Sequence, residues 1–416
     1  MTSAHAGVYP GLTPRLMIGE SASRPLTLDE ERAAGTYEPV DPGGVIAELE
    51  RAGLRGRGGA GFPAHVKWRA VGGGRCVVVG NGEEGEPASG KDRWLLTRRP
   101  HAVLDGLLLA AGATGAGRAV LYLSHQETVD AVAAARAELP PEVASRVEVH
   151  VVAHRYVAGE ESAVCNSVNG GPALPKAKPP RVYEAGVDGL PTLVSNVETL
   201  AMAAWIARRG AAAYREHGTP ASPGTALVTL QGACARPGVY EVPYGVTVRQ
   251  LFTACGGTDP AGTPGLLMGG WFGGIAGPGV LDARWCYDHL AAAGSSLGCG
   301  SVTLLARDER VADVAAGLAR WYAAESAGQC GVCRKGTEAI AGALARVRDA
   351  GLAGGAAPPA DLAGLERWGT SLRGKGACAF LDGAANLART AILAGAAAGH
   401  PAAGQHHRNP PRERAS

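Results

Sequence analysis

Apolar runs and amphipathic segments alternate along the first half of the chain. Short apolar runs at residues 75–81, 118–124 and 147–153 ("RCVVVGN", "RAVLYLS" and "VEVHVVA") are typical of buried β-strands. Residues 101–115 and 128–140, which lie between these runs, have the composition and spacing of α-helices. Such alternation predicts an α/β fold with helices packed on a sheet, extending over residues 46 to 222.

The pattern changes twice further along the chain. Residues 223–306 contain short apolar runs and one helical segment, which indicate a small mixed α+β domain. Residues 307–399 contain four segments with helical spacing, which predict a four-helix bundle. The Pro- and Gly-rich residues 1–45 are expected to wrap over the surface, and the polar tail, residues 400–416, is expected to be disordered.

Composition narrows the functional classes. The 416 residues are 46% apolar and 19% charged, which suits several folded domains. A net charge of +2 gives no reason to expect nucleic acid or an anionic surface as a ligand. We find neither a signal-peptide core in the first thirty residues nor an apolar run long enough to span a membrane, so a cytoplasmic location is expected. Nine cysteines, an odd number, make a poor disulfide framework.

A glycine-rich segment, "GLRGRGGAGFP" at residues 53–63, follows a predicted helix. Five glycines in nine residues allow tight bends and a close approach to a ligand, and consecutive backbone N–H groups can bind an anion. Arg55 and Arg57 add positive charge. The segment is either a phosphate site for a nucleotide or flavin, or an ordinary flexible loop; it matches neither the P-loop nor the dinucleotide fingerprint.

Two acidic turns are the next candidates. The segment "NGEEGEP" places Glu83, Glu84 and Glu86 directly after the buried strand at 75–81, and "YVAGEESA" contains Glu160 and Glu161. Ligands of open α/β sheets bind at the carboxyl ends of strands. Ribityl or ribose hydroxyls could organise these carboxylates, metal ions could do so as well, and a solvated acidic turn remains the alternative.

Six segments, in order, carry a family resemblance that covers roughly residues 46 to 395. They are "GLRGRGGAGFPAHVKW", "NGEEGEPASGKDR", "YVAGEESAVCNS", "KAKPPRVYEAGVDGLPTLVSNVETL", "ESAGQCGVCRKG" and "GKGACAF". Together they resemble the NADH-binding flavoprotein subunit of complex I and its relatives in NAD-linked hydrogenases and formate dehydrogenases.

The resemblance implies an FMN-dependent NADH dehydrogenase module. FMN would lie in the α/β domain with NADH stacked over it, and electrons would leave singly through an iron–sulfur cluster of the helical domain. Residues 223–306 resemble the ubiquitin-like, soluble-ligand-binding β-grasp domain of that subunit. The expected partners are NADH and a redox protein, either a ferredoxin-type protein or a [2Fe–2S] thioredoxin-like subunit. A degenerate, non-catalytic paralogue with an assembly or regulatory role is the alternative.

The resemblance also implies site residues. Those matching the flavin-binding positions are Gly56, Arg57, Gly58, Gly59, Lys67, Asn81, Glu83, Glu84, Gly159, Glu160, Glu161, Ser195, Asn196 and Thr199. For NADH, Phe62 is expected to stack on the adenine, and Glu86 and Glu161 to contact ribose or nicotinamide groups. Lys178 should lie near the dinucleotide, and the charge of Glu84 should disfavour NADPH. No catalytic side chain is expected, because the flavin carries the chemistry.

Three positions near the flavin and NADH depart from the family pattern. Glu83 replaces an aspartate, Ser195 replaces an asparagine, and Arg181 stands where the family often has a phenylalanine.

The cysteine motif shows the largest departure. The family holds its [4Fe–4S] cluster with four cysteines, and Ala327 occupies the position of the first. The matching cysteines are Cys330, Cys333 and Cys378. Since a methyl group cannot ligate iron, three outcomes stay open. A [4Fe–4S] cluster could take Ser326, water or Cys299 as its fourth ligand, a [3Fe–4S] cluster could form, or no cluster forms.

Overall fold

The computed structural model describes residues 5–397. The tail predicted to be disordered, residues 400–416, lies outside the described residues. The strands are β1 (His5–Val8), β2 (Val77–Asn81), β3 (Arg118–Leu123), β4 (Val147–Val151), β5 (Thr192–Asn196), β6 (Thr225–Gly232), β7 (Gly238–Pro243), β8 (Leu266–Met268), β9 (Ile275–Ala276) and β10 (Ser301–Leu304).

The α-helices are α1 (Leu28–Ala33), α2 (Pro42–Ala52), α3 (Ala64–Arg69), α4 (Lys91–Arg98), α5 (Pro100–Thr114), α6 (Gln126–Ala137), α7 (Pro141–Ala144), α8 (Glu161–Val168), α9 (Val197–Arg215), α10 (Val248–Gln250), α11 (Tyr287–Ala292), α12 (Val311–Glu325), α13 (Gly331–Leu352), α14 (Pro359–Ser371) and α15 (Phe380–Ala397). A π-helix, Leu251–Gly256, continues α10. Among residues 5–397, none of these helices is long and apolar enough to cross a membrane.

The first layer is a four-stranded parallel sheet with the strand order β4-β3-β2-β5. One of its two inner strands, β2, begins with three buried valines, Val77, Val78 and Val79. This is expected for a parallel strand that is covered on both faces. Helices α5 and α9 pack together against this sheet. The predicted α/β fold is therefore confirmed, and the helix and strand positions differ from the prediction by only a few residues.

A second, six-stranded sheet has the order β1-β7-β6-β10-β8-β9. Strands β6 and β7 form an antiparallel hairpin, and β10 returns parallel to β6 after the short helices that lie between them in sequence. The hairpin, the helical segment and the parallel return strand enclose a separate apolar core that contains Val228, Phe252 and Trp285.

The N-terminal segment is more deeply integrated than a surface wrap. Its strand β1 pairs in parallel with β7 at the edge of the second sheet. Leu16 and Met17 are buried, and their backbone N–H groups donate to the buried carboxylate of Glu241 at 2.9 and 2.8 Å. Because Glu241 lies on β7, one buried acceptor fastens this segment to the small domain. The boundary placed at residue 45 falls inside helix α2.

The C-terminal part consists of α12, α13, α14 and α15, which pack around one apolar core. Tyr322, Ile340, Leu365 and Leu387 are fully buried in this core. Helix α15 also contacts β9 and the turn Trp271–Gly273 of the second sheet. This contact fixes the start of α15 close to the carboxyl edge of the parallel sheet.

Candidate functional site

A cavity of about 610 Å³ lies where the parallel sheet, the small domain and the start of α15 meet. Every predicted flavin or NADH residue except Lys178 lines it: Gly56, Arg57, Gly58, Gly59, Phe62, Lys67, Asn81, Glu83, Glu84, Glu86, Gly159, Glu160, Glu161, Ser195, Asn196 and Thr199. Its volume is within the range of small-molecule and cofactor sites. Residues far apart in the sequence therefore share one concave surface.

The glycine-rich segment forms a closed loop at the cavity wall. The N–H of Gly56 donates to the carbonyl of Phe62 at 2.8 Å and closes the base of the loop. Gly61 has φ +61°, and a Cβ there would lie 2.4 Å from the ring of Tyr287, so only glycine fits. Phe62 is 52% exposed at the mouth of the cavity. The loop thus presents backbone and one aromatic ring to a ligand.

The guanidinium of Arg57 is an anchor for the loop. It is buried where the two domains meet, and it donates to the Tyr214 hydroxyl of α9 at 2.8 Å and to the Thr225 carbonyl of β6 at 2.9 Å. The backbone N–H of Arg57 donates to the Thr199 hydroxyl at 2.9 Å. The expectation that this side chain adds its charge to an anion site therefore needs correction, because the guanidinium is held between domains.

Two asparagines end adjacent strands of the parallel sheet. Asn81 of β2 and Asn196 of β5 are register partners, so they lie side by side at the carboxyl edge. The Asn81 amide donates to the Gly159 carbonyl at 2.9 Å, and the Asn196 amide donates to Asp92 Oδ2 at 2.6 Å. Ligands of open α/β sheets bind at this edge, so the asparagines mark the cavity floor.

Glu84 organises the start of helix α4. Its buried carboxylate accepts the Ser89 hydroxyl at 2.5 Å and the backbone N–H groups of Asp92 and Arg93 at 3.1 and 3.0 Å. A carboxylate at a helix N-terminus is stabilised by the unpaired N–H groups there. Glu84 therefore caps helix α4 at the cavity wall.

Glu83 lies in a contrasting environment. Its side chain is fully buried, and its Oε2 atom has no hydrogen-bond partner among the described residues. Burial raises the pKa of Glu83 to about 8. His154 lies 3.0 Å from Oε1, and burial lowers the pKa of its imidazole. With a pKa of about 8, the Glu83 carboxyl that lines the cavity is mostly protonated at neutral pH.

Replacing Glu83 by glutamine is expected to remove a pH-dependent loss of stability. A carboxyl whose pKa rises on folding binds its proton more tightly in the folded state, so stability falls as pH rises from about 4.5 to about 8. The melting temperature of Glu83→Gln should exceed that of the wild type increasingly over this window. Glu142→Gln, an exposed control, should leave the profile unchanged, and parallel profiles for Glu83→Gln and the wild type would contradict the assignment.

Glu86 joins the parallel-sheet domain to the small domain. Its carboxylate accepts the backbone N–H of Trp271 at 3.0 Å and that of Ala88 at 3.3 Å. Burial raises the pKa of Glu86, although these N–H groups partly oppose the effect. Glu86 thus holds the turn at Trp271 over one wall of the cavity.

The second acidic turn is neutralised by lysines. Glu160 caps helix α8 and pairs with Lys178 at 2.8 Å, while Glu161 lies 3.2 Å from Lys178 and 3.5 Å from Lys67. Although burial opposes it, these ammonium groups lower the pKa of Glu161. Lys178 does not line the cavity, but it supports the two carboxylates that do.

Sequence reasoning missed a buried charge cluster behind the cavity floor. The ammonium of Lys91 lies 2.7 Å from Asp92 Oδ1 and 2.9 Å from Glu198 Oε2, and all three side chains are buried. Although burial lowers it, the surrounding carboxylates raise the pKa of Lys91. The adjacent "KD" pair in "SGKDRW" was the available signal, but ordinary surface helices begin in the same way.

The three predicted cluster cysteines lie near the start of the helices that carry them. Cys330 caps α13, Cys333 is buried in its first turn, and Cys378 lies just before α15. Cys378 also lines the 610 Å³ cavity. The hydroxyl oxygen of Ser326 lies 3.5 Å from Cys333 Sγ, which adds an oxygen donor beside the thiols.

This donor set fits an iron–sulfur cluster whose fourth ligand is not cysteine. Ala327 offers only a methyl group, whereas the neighbouring Ser326 contacts one of the three thiols. Cys299 instead donates to the Gly269 carbonyl at 3.5 Å and lines the cavity beside the small domain. Among the protein ligands considered, the contacts favour Ser326 over Cys299.

Models of known protein families match both the α/β part and the helical part of the chain. Residues 49–205 match the model of the Nuo51 FMN-binding domain, and residues 313–394 match that of the NADH-ubiquinone oxidoreductase-F iron-sulfur binding region. A solved NAD+-reducing [NiFe]-hydrogenase in the H2-reduced state has a TM-score of 0.78 and 32% identity, over 96% of this chain and 68% of that chain.

Curated relatives cover most of the chain. One of the F subunits of NADH-quinone oxidoreductase from Rhizobium meliloti is 33% identical over 87% of this chain and 88% of its own length. The F subunit of the same enzyme from Streptomyces coelicolor is 35% identical over 86% of this chain and 84% of its own length. On these matches, the chain belongs to the family of NADH-quinone oxidoreductase F subunits.

Proposed function

We propose that the chain is an FMN-dependent NADH dehydrogenase module that delivers electrons singly through an iron–sulfur cluster. One observation carries this proposal. A single cavity is bounded by the glycine-rich loop and the strand-end asparagines, and also by Cys378. When bound, FMN accepts a hydride from NADH and releases the two electrons one at a time, so its site must adjoin both a dinucleotide entrance and a one-electron exit.

The residues around the cavity suit the two ends of FMN. The loop at Gly58 and Gly59, with the ammonium of Lys67, provides backbone donors and positive charge for the phosphate. Asn81 and Asn196 provide amides at the strand ends, where hydroxyl groups of a ribityl chain can bind. The neutral Glu83 adds no charge repulsion against an electron-rich flavin.

The cavity mouth suits NADH. Phe62 offers an exposed aromatic face for the adenine, and Glu86 and Glu161 supply oxygen acceptors for ribose or carboxamide groups. A carboxylate at Glu84 disfavours the additional phosphate of NADPH by repulsion. We therefore propose NADH as the physiological dinucleotide.

We propose that Cys330, Cys333 and Cys378 hold the cluster with Ser326 as the fourth ligand. The topology of residues 223–306 supports a ubiquitin-like β-grasp domain, and the four C-terminal helices form the cluster-binding bundle. The relatives are named as subunits, which supports a redox partner protein such as a [2Fe–2S] thioredoxin-like subunit or a ferredoxin-type protein.

The test is anaerobic reconstitution with FMN followed by addition of NADH. The protein should bind one FMN with a flavin absorption spectrum, and NADH should bleach it. Stable FMN binding without bleaching would instead support the alternative of a non-catalytic paralogue, which the loss of a cysteine at Ala327 favours. A protein that retains no FMN would contradict the proposal.

Replacing Phe62 by alanine is expected to raise the KM for NADH by about tenfold, because stacking on a base contributes about 1–3 kcal/mol. The FMN content should be unchanged, since the phenyl ring lies at the mouth and is 52% exposed. Steady-state kinetics with an artificial acceptor provide the measurement. Val66→Ala, which also removes an exposed apolar side chain, is the control. If Phe62→Ala and Val66→Ala had equal KM values, Phe62 would not contribute to NADH binding.

A further inference from the structure

Three side chains with metal-binding donors converge in the small domain, outside the residues that line the cavity. Cys286 is buried, whereas Asp288 and His289 are each about half exposed. Their donor atoms all lie within 4.8 Å of one another. Among the described residues, they form the one group of three histidine, cysteine or acidic side chains that is this close.

The distances match the spacing of ligands around a small metal ion. Cys286 Sγ lies 3.2 Å from His289 Nδ1, and Asp288 Oδ2 lies 3.1 Å from the same nitrogen. Ligands held tetrahedrally at Zn–S and Zn–N or Zn–O bond lengths are about 3.3–3.6 Å apart. The three donors therefore need to shift only slightly to share one ion.

The contacts at His289 Nδ1 distinguish this group from a nucleophilic triad. In a cysteine–histidine–aspartate triad, the thiol and the carboxylate contact opposite nitrogens of the imidazole. Here both contact Nδ1, so the imidazole cannot relay a proton between them. Cys286 is also fully buried and is not accessible to a substrate. Convergence of sulfur, nitrogen and oxygen on one point is instead the arrangement of metal ligands.

We propose that Cys286, Asp288 and His289 bind a divalent transition-metal ion, with Zn²⁺ the best match to the sulfur, nitrogen and oxygen donors. On binding, the Cys286 thiol releases its proton to solvent and coordinates as the thiolate. The half-exposed positions of Asp288 and His289 leave the ion open to solvent on one side, where water completes the coordination.

The position of the site gives it a structural role. Tyr287 lies between the ligands in sequence, and its ring packs against Gly61, with the guanidinium of Arg55 stacked 4.6 Å from its centroid. Both Gly61 and Arg55 belong to the glycine-rich loop. An ion held by residues on either side of Tyr287 therefore fixes the surface on which that loop rests.

The experiment is a titration of the full-length, metal-depleted protein with Co²⁺, followed by absorption spectroscopy. Cys330, Cys333 and Cys378 also offer thiolates to Co²⁺, so the test compares stoichiometries. The wild type should bind one equivalent more than Cys286→Ser, and the difference spectrum should contain a thiolate-to-cobalt charge-transfer band. His289→Gln should lose the same equivalent; because His289 is half exposed, this variant should fold even where Cys286→Ser does not.

Cys234→Ser is the matched control, since Cys234 is a thiol of the same domain that belongs to no three-donor group among residues 5–397. It should bind as much Co²⁺ as the wild type. Equal stoichiometry for the wild type and His289→Gln, or a difference spectrum between the wild type and Cys286→Ser that lacks the thiolate-to-cobalt band, would overturn the proposal. Since the titration requires neither FMN nor NADH, its outcome does not depend on the proposed function.

Discussion

Replacing Ala327 by cysteine is expected to convert a weakly held cluster into a stable one with about four irons per chain. The three proposed ligands Cys330, Cys333 and Cys378 have free thiols, and the Ser326 hydroxyl lies 3.5 Å from Cys333 Sγ. A fourth thiolate replaces a harder, weaker ligand for iron. Iron and sulfide analysis of anaerobically purified protein, with electron paramagnetic resonance of the reduced sample, measures the change.

A second substitution makes the test specific for the fourth ligand. Ser326→Ala should strip the cluster in the wild-type background, because the Ser326 oxygen that contacts Cys333 is lost. The same substitution should have little effect once Ala327→Cys supplies a thiolate. When one substitution abolishes the effect of another, the two residues serve the same role. Ala353→Cys, at the exposed end of α13, controls for adventitious iron binding by an added thiol.

The results separate the three outcomes for the cluster. Iron loss in Ser326→Ala, but not in Ser326→Ala/Ala327→Cys, supports a serine-ligated [4Fe–4S] cluster. A resonance from the oxidised wild type that is typical of a [3Fe–4S] cluster, unaffected by Ser326→Ala, would show three-thiolate ligation. If Ala327→Cys also purified without iron, the cysteines would have another role, and the proposed exit for electrons would be wrong.

The sequence was informative where a residue's role depends on its place in an element. Residues 75–81 predicted a buried strand, and the strand's end then located Asn81 and the acidic turn at the carboxyl edge of a sheet. Parallel strands bury both faces, so their apolar runs are easy to recognise. The strand's end thus located the acidic turn, whereas the other predicted lining residues were expected from the family resemblance. The lining that the small domain contributes, including Gly269 and Phe272, was not predicted.

Properties that depend on contacts between distant segments could not be predicted from the sequence. Glu83 and Glu84 are adjacent, yet their environments differ. Glu83 Oε2 is buried without a hydrogen-bond partner among the described residues, whereas Glu84 caps helix α4. Arg57 looked like a phosphate ligand, but its guanidinium is held by Tyr214 and Thr225 of other elements. Periodicity reveals which face of an element is buried, but it does not reveal the partner that meets a polar group there.

Replacing Lys91 by methionine is expected to destabilise the protein by about 3–5 kcal/mol, because removing one partner of a buried ion pair leaves an uncompensated charge in a medium of low polarity. Here two carboxylates, Asp92 and Glu198, would lose their shared ammonium at 2.7 and 2.9 Å. Calorimetry should show a large fall in the melting temperature of the transition that involves the parallel-sheet domain.

The controls for this substitution follow from exposure and charge. Lys335 pairs with Glu338 at 3.1 Å, but its side chain is 76% exposed, so Lys335→Met should change stability by about 0.5 kcal/mol at most. The double variant Lys91→Met/Glu198→Gln should recover part of the loss, because it removes one of the stranded charges. Equal effects of Lys91→Met and Lys335→Met would show that the buried cluster is not paired as described.

The Lys91 cluster also links stability to the cavity. Asp92 accepts the Asn196 amide at 2.6 Å through its second oxygen, and Asn196 ends the strand at the cavity floor. A protonated or displaced Asp92 would therefore disturb an asparagine proposed to bind the flavin. Lys91→Met should accordingly weaken FMN binding even at temperatures where the protein is folded, whereas Lys335→Met should not. Flavin fluorescence titration of the two variants distinguishes this local effect from unfolding.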